Sequence, residues 1–182
     1  MSKITLVTGG TRSGKSSFGE KLLKEYDDVT YIATLIAVDD EMKERVRKHR
    51  ESRNQMWNTI EGYNDLYLKI PYIKEKYIML ECIGTMITNL IFDQYMDVDD
   101  LRKDEINKLE ESIANKVSLL IHEIKKSDKN VVIITNEVGF SLVSEYKLGR
   151  IFTDILGRVN QMLARESDEV YLVACGLPMR LK

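Results

Sequence analysis

Residues 4–16 read Ile4-Thr5-Leu6-Val7-Thr8-Gly9-Gly10-Thr11-Arg12-Ser13-Gly14-Lys15-Ser16, an apolar run followed at once by a full match to G-x-x-x-x-G-K-[ST]. The pattern predicts a buried strand that turns sharply into a helix. Gly9, Gly10 and Gly14, with Thr11, Arg12 and Ser13 between them, let successive backbone N–H groups converge on a polyphosphate above the positive end of the new helix. Lys15 then reaches the β- and γ-phosphates, and the Ser16 hydroxyl ligates Mg²⁺. The stretch Ser16 to Leu23 opens a helical pattern, so the motif has the right context on both sides.

Working outward, short apolar runs alternate with longer helical patterns. Strands are expected at 3–8, 29–34, 76–81, 130–136 and 169–175, several nearly continuous in Val, Ile and Leu, as in strands buried on both faces. That alternation predicts an α/β fold: a mostly parallel P-loop sheet with helices on both faces. Two covering helices stand out. Over 104–126 an apolar stripe runs through Ile106, Leu109, Ile113, Val117, Leu120, Ile121 and Ile124. Over 145–165 another runs through Leu148, Ile151, Phe152, Ile155, Leu156, Val159, Met162 and Leu163. Region 35–75 breaks the rhythm with a polar helix from about Asp39 to Arg53, anchored only by Met42 and Val46, then Trp57 and a short strand to Glu61. Packing in a monomer stabilises so polar a helix little, so it is expected to project, line a site or meet another subunit. Pro71 and Pro178 are expected at element boundaries. The 182 residues fit one P-loop nucleotide-binding domain, 1–182.

The apolar fraction of 43% and charged fraction of 31% are those of a globular protein. No apolar run approaches the ~20 residues that span a bilayer. The first strand begins almost at once, with no signal pattern before it, so a cytoplasmic location is expected. With 27 Lys and Arg against 29 Asp and Glu, the net charge of −2 carries no bias toward nucleic acid or anionic membrane. Cys82 and Cys175 each follow an apolar run and are expected as buried, reduced thiols.

The carboxyl ends of parallel strands share one crevice, which recruits Thr34, Asn136, Glu137 and above all Glu81, the acid that ends Tyr77-Ile78-Met79-Leu80. Glu81 has the position of a carboxylate that holds Mg²⁺ or its water shell, although it could instead contact a nucleotide sugar or act as a base. His122 lies beside an apolar stripe and reads as a surface or boundary residue. His49 sits within Arg47-Lys48-His49-Arg50-Glu51-Ser52-Arg53. Neighbouring cations favour its neutral imidazole, whose ring nitrogen can attack phosphorus, and they stabilise charge on an α-phosphate and a departing pyrophosphate. From these residues alone a nucleophile and a solvated histidine both stay open. So do an ordinary P-loop small-molecule kinase and a nucleotide-dependent binding module.

Several stretches taken together resemble one family, the bifunctional adenosylcobinamide kinase and adenosylcobinamide-phosphate guanylyltransferase of cobalamin biosynthesis. They are LVTGGTRSGKS (6–16), YIAT (31–34), DDEM and RVRKHRESR (39–53), WNTIE (57–61), LECIGTMITNLIF (80–92), TNEVG (135–139) and GRVNQ (157–161), in order from end to end. The resemblance implies a recombinase-type P-loop sheet, a homotrimer, a corrinoid substrate, and GTP, ATP and Mg²⁺ as cofactors. One activity phosphorylates adenosylcobinamide. The other transfers GMP from GTP to the resulting phosphate through a guanylylated histidine, matched here by His49. Lys15 supports the kinase step. The resemblance also places Ala33, Thr34, Leu35, Arg50, Glu51, Ser52, Arg53, Glu61 and Glu81 at nucleotide-binding positions beside Gly9 to Ser16. Where the family often has Gly-Arg-Pro after its histidine, this chain has Ser52-Arg53-Asn54.

Overall fold

A computed structural model describes residues 2–36, 40, 44, 47, 54–98, 100–140 and 142–182. In chain order its elements include β1 (Lys3–Gly9), α1 (Lys15–Leu23), β2 (Val29–Ala33), β3 (Asn58–Glu61), β4 (Tyr77–Glu81), α2 (Ile83–Gln94), α3 (Lys103–Lys126), β5 (Asn130–Asn136), α4 (Lys147–Glu166), β6 (Glu169–Ala174) and β7 (Leu177–Arg180). The strands form one seven-stranded sheet in the order β3-β2-β4-β5-β1-β6-β7. All pairs are parallel except β6–β7. Strand β5 stands between the P-loop strand β1 and the Glu81 strand β4.

The pleat sorts apolar side chains to two faces, because successive residues of a strand point to opposite sides. Ile4 and Leu6 of β1, Ile78 and Leu80 of β4, and Val131 and Ile133 of β5 join a large cluster under α2, α3 and α4. Val7, Met79, Val132 and Ile134 join a smaller cluster with Leu23 and Phe18 of α1. Helices therefore cover both faces, as expected from the buried-strand composition. Gly19 lets α1 lie close on its face: a Cβ there would stand 2.6 Å from Ile134 Cδ1 and 3.1 Å from Met79 Cε.

Helix α3 buries Leu109, Ile113, Val117, Leu120, Ile121 and Ile124, the stripe read from its spacing, with Ile106 partly buried. Its start is fixed by the Arg102 N–H donating to Glu105 Oε2 at 2.9 Å, and its end by Ser127 Oγ donating to Ile124 O at 2.6 Å. Helix α4 buries Ile151, Ile155, Leu156, Val159 and Leu163 of the expected stripe. His122 is exposed, as a boundary residue should be.

Some features depart from the sequence expectations. Helix α2 and the antiparallel β7 were not among the elements that periodicity picked out. Pro178 lies inside β7 rather than at its boundary; it is tolerated because β7 is an edge strand. Cys175 is exposed on the β6–β7 turn, not buried; both cysteines are free. The polar helix expected over 39–53 lies outside the described residues save Asp40, Glu44 and Arg47, the last pairing with Glu44 at 2.6 Å. Among the described residues, no helix is long and apolar enough to cross a membrane.

Candidate nucleotide site at the carboxyl edge of the sheet

Strand β1 ends at Gly9, and the chain turns through Arg12 (φ 57°) and Gly14 (φ 93°) into α1. Gly9 is tightly enclosed: a Cβ there would lie 2.5 Å from Val173 O and 2.5 Å from Ser13 Oγ. Gly14 is the N-cap of α1, with no side-chain cap and no acidic residue in the first turn. The N–H groups of the first turn have no intrahelical partner, so they and the helix dipole face an anion unopposed. Lys15 Nζ donates to Gly10 O at 3.2 Å, which lays the ammonium across the loop. Thr11 and Arg12 are exposed, whereas Ser13 is buried with an Oγ that has no hydrogen-bond partner. This cradle fits a polyphosphate.

Register brings the second half of the site to the same edge. Ala33 of β2 pairs with Glu61 of β3 on one side and Glu81 of β4 on the other. With strands about 4.8 Å apart, the two acids flank Ala33 at the carboxyl end of the sheet. Glu81 is half-buried and held at both oxygens. Ser16 Oγ donates to Oε1 in a short contact, and Tyr31 Oη donates to Oε2 at 2.9 Å. A hydroxyl and a carboxylate in direct contact beside the cradle are the hard oxygen donors that Mg²⁺ prefers, so the pair fits that ion.

Thr34 plays another part. It is fully buried, with Oγ1 accepting the Cys82 N–H at 2.8 Å and lying 2.8 Å from Cys82 O. Asn89 Nδ2 of α2 donates to Thr34 O at 2.8 Å. Thr34 thus ties β2 to the start of α2 behind Glu81. Leu35 follows, half-buried. Burial pushes the Cys82 thiol above the ordinary cysteine range, although hydrogen bonds from Thr85 oppose the shift.

At the other side of the loop, Gly9 pairs with Asn136 and the Glu137 N–H donates to Gly9 O at 3.0 Å. Asn160 of α4 accepts from Thr135 Oγ1 at 2.6 Å and donates to Asn136 O at 2.9 Å. The TNEVG and GRVNQ stretches are therefore two halves of one hydrogen-bonded support. Of the expected site residues, Gly9 to Ser16, Ala33, Thr34, Leu35, Glu61 and Glu81 come together at this edge. His49, Arg50, Glu51, Ser52 and Arg53 lie outside the described residues. Tyr31, Asn89 and Asn160 were not singled out from sequence. All three stand inside stretches quoted for the resemblance, but only the fold reveals what they touch.

Similarity to known proteins agrees with this geometry. The family model described as cobinamide kinase / cobinamide phosphate guanyltransferase matches residues 5–181. The bifunctional adenosylcobalamin biosynthesis protein CobU of Escherichia coli K12 is 41% identical over 181 residues, covering 98% of this chain and 99% of that protein. CobU of Salmonella typhimurium LT2 is likewise 41% identical over the same shares. CobP of Pseudomonas aeruginosa is 30% identical, covering 97% of this chain and 96% of its own. A P-loop whose Ser16 contacts Glu81, and a match along almost the whole length, place this chain in the cobinamide kinase / cobinamide phosphate guanyltransferase family of cobalamin-biosynthesis enzymes.

Proposed function

We propose that the chain carries both activities in one site: phosphorylation of adenosylcobinamide from ATP or GTP, and transfer of GMP from GTP to the resulting phosphate by way of His49. The observation that carries this reading is the contact between Ser16 of the P-loop and Glu81, at the edge where Ala33 and Glu61 also stand. In the kinase step the P-loop N–H groups and Lys15 hold the triphosphate, and the corrinoid hydroxyl attacks the γ-phosphorus. The new O–P bond forms as the bond from that phosphorus to the β–γ bridging oxygen breaks, the nucleoside diphosphate leaves and the hydroxyl proton passes to solvent. Mg²⁺ held by Ser16 and Glu81 would neutralise charge on the phosphate oxygens. In the transfer step the His49 imidazole attacks the α-phosphorus of GTP; a P–N bond forms, the bond to the β-phosphate oxygen breaks and pyrophosphate leaves. An oxygen of the corrinoid phosphate then attacks the same phosphorus, the P–N bond breaks, and adenosylcobinamide-GDP departs with the imidazole restored.

A corrinoid is far larger than the P-loop crevice, and a cytoplasmic homotrimer with the corrinoid between subunits accommodates it. Support comes from the exposed apolar side chains Phe140, Leu142, Val143 and Tyr146, the last bordering a cavity of about 330 Å³ lined by Phe92, Leu148 and Phe152. The kinase half is tested by incubating the protein with adenosylcobinamide, Mg²⁺ and γ-labelled ATP or GTP. Label is expected on the corrinoid and is expected to vanish in Lys15→Ala. No labelled corrinoid from either donor would overturn that half.

A further inference from the structure

The turn closing the β6–β7 hairpin is built against the back of the P-loop. Its two residues, Cys175 and Gly176, have φ of 53° and 79°, the left-handed pair that a two-residue type I′ hairpin requires. The Gly176 N–H donates to Ser13 O at 2.8 Å. A Cβ on Gly14 would meet Gly176 Cα at 3.1 Å, so the two backbones are in close contact there. The hairpin is itself anchored. Thr8 of β1 pairs with Leu172 of β6, and the Tyr171 ring meets Phe18 of α1 edge-on at 5.2 Å. Just past β7, Lys182 Nζ donates to Arg165 O at 3.0 Å and Ser167 O at 2.6 Å, at the negative end of α4.

We propose that Gly176 is a positioning residue for the P-loop. In a planar trans peptide the C=O of one residue and the N–H of the next point in opposite directions. By holding Ser13 C=O toward the hairpin, the Gly176 N–H turns the Gly14 N–H the other way, into the cradle that receives the phosphates. Conformation rather than space makes this position glycine: a Cβ on Gly176 would meet nothing within 4 Å, but φ of 79° disfavours most side chains. The inference rests on the P-loop being the nucleotide site.

The test compares GTP·Mg²⁺ binding and nucleotide KM in wild type, Gly176→Pro and Gly176→Asn. Proline has no N–H and cannot adopt the φ, whereas asparagine keeps the donor and tolerates the left-handed region. Gly176→Pro is expected to weaken GTP binding and raise nucleotide KM by about tenfold with a smaller change in kcat, and Gly176→Asn to return affinity to within about threefold of wild type. On the wild-type protein, saturating GTP·Mg²⁺ is expected to slow hydrogen exchange of the Gly176 amide about tenfold or more, because opening its bond to Ser13 then competes with ligand binding. This second measurement decides the matter even where Gly176→Pro does not fold. A folded Gly176→Pro that binds GTP like wild type, or bound GTP that leaves Gly176 exchange unchanged, overturns the proposal alone. A wild-type protein that binds no GTP overturns the nucleotide reading together with it.

Discussion

Ser16 and Glu81 lie 65 residues apart in the chain, yet the hydroxyl of one donates to Oε1 of the other at the mouth of the P-loop. The same carboxylate receives Tyr31 Oη on its second oxygen. Glu81→Gln keeps the shape of this contact and removes its charge. Turnover is expected to fall about 10- to 100-fold, with Mg²⁺ half-saturation moving to higher concentration. A Mg²⁺ titration of corrinoid phosphorylation checks this; an unchanged half-saturation would remove Glu81 from the metal site.

Gly9 has backbone on its far side, and backbone does not yield as a side-chain tip does. Gly9→Ala places a methyl 2.5 Å from Val173 O, so the start of the loop must shift. We expect a loss of about 1–3 kcal/mol in stability and about tenfold weaker nucleotide binding, taking the loop displacement to cost roughly 1.4 kcal/mol in that equilibrium. Urea unfolding and calorimetric titration with GTP measure the two effects separately.

The core beneath the site is predicted to respond by volume. Ile113 of α3 is fully buried in the larger cluster. Ile113→Ala should cost about 2–5 kcal/mol through lost burial and the cavity left behind. Chemical denaturation at constant m-value is the measurement.

A pH-dependent contribution sits at the opposite edge. Thr30 Oγ1 donates to Glu75 Oε2 at 2.7 Å, and this bond is the main reason the Glu75 carboxyl lies below its ordinary value, against a smaller opposing effect of burial. A carboxyl lowered in the folded state stabilises the fold above its unfolded pKa and ceases to do so as pH falls through the folded value. Thr30→Val is therefore expected to cost about 0.5–1 kcal/mol at pH 7, allowing for screening. The difference from wild type should shrink below pH 4.5, the ordinary carboxyl value. Denaturation curves at pH 7 and in the acid range give the comparison.

Elements with a strong period were legible in the sequence. Strands β1, β4 and β5 are buried on both faces and read as nearly continuous apolar runs, and the stripes of α3 and α4 follow their spacing residue by residue. Helix α2 does carry a helical stripe, with Ile83, Met86, Ile87, Leu90 and Ile91 buried and Thr85, Thr88, Asn89 and Asp93 on the other side. It escaped because only Cys82 separates it from β4, so strand and helix merge into one apolar stretch. Strand β7 escaped because all four of its residues are exposed, so no buried face marks its period. The P-loop, Glu61 and Glu81 were visible as types at strand ends. Their juxtaposition was not, since it depends on the register across β3, β2 and β4. Thr34 was expected to face the crevice because it follows β2, yet its hydroxyl is taken up by Cys82.

The central claim is that His49 carries GMP as a covalent adduct between two displacements. The measurement is to incubate the protein with GTP labelled at the α-phosphate, denature it, and count the label it retains. The account predicts label bound to wild type, released by acid as a phosphoramidate is, and absent from His49→Ala. Wild-type protein that stays unlabelled while converting adenosylcobinamide to adenosylcobinamide-GDP would contradict it.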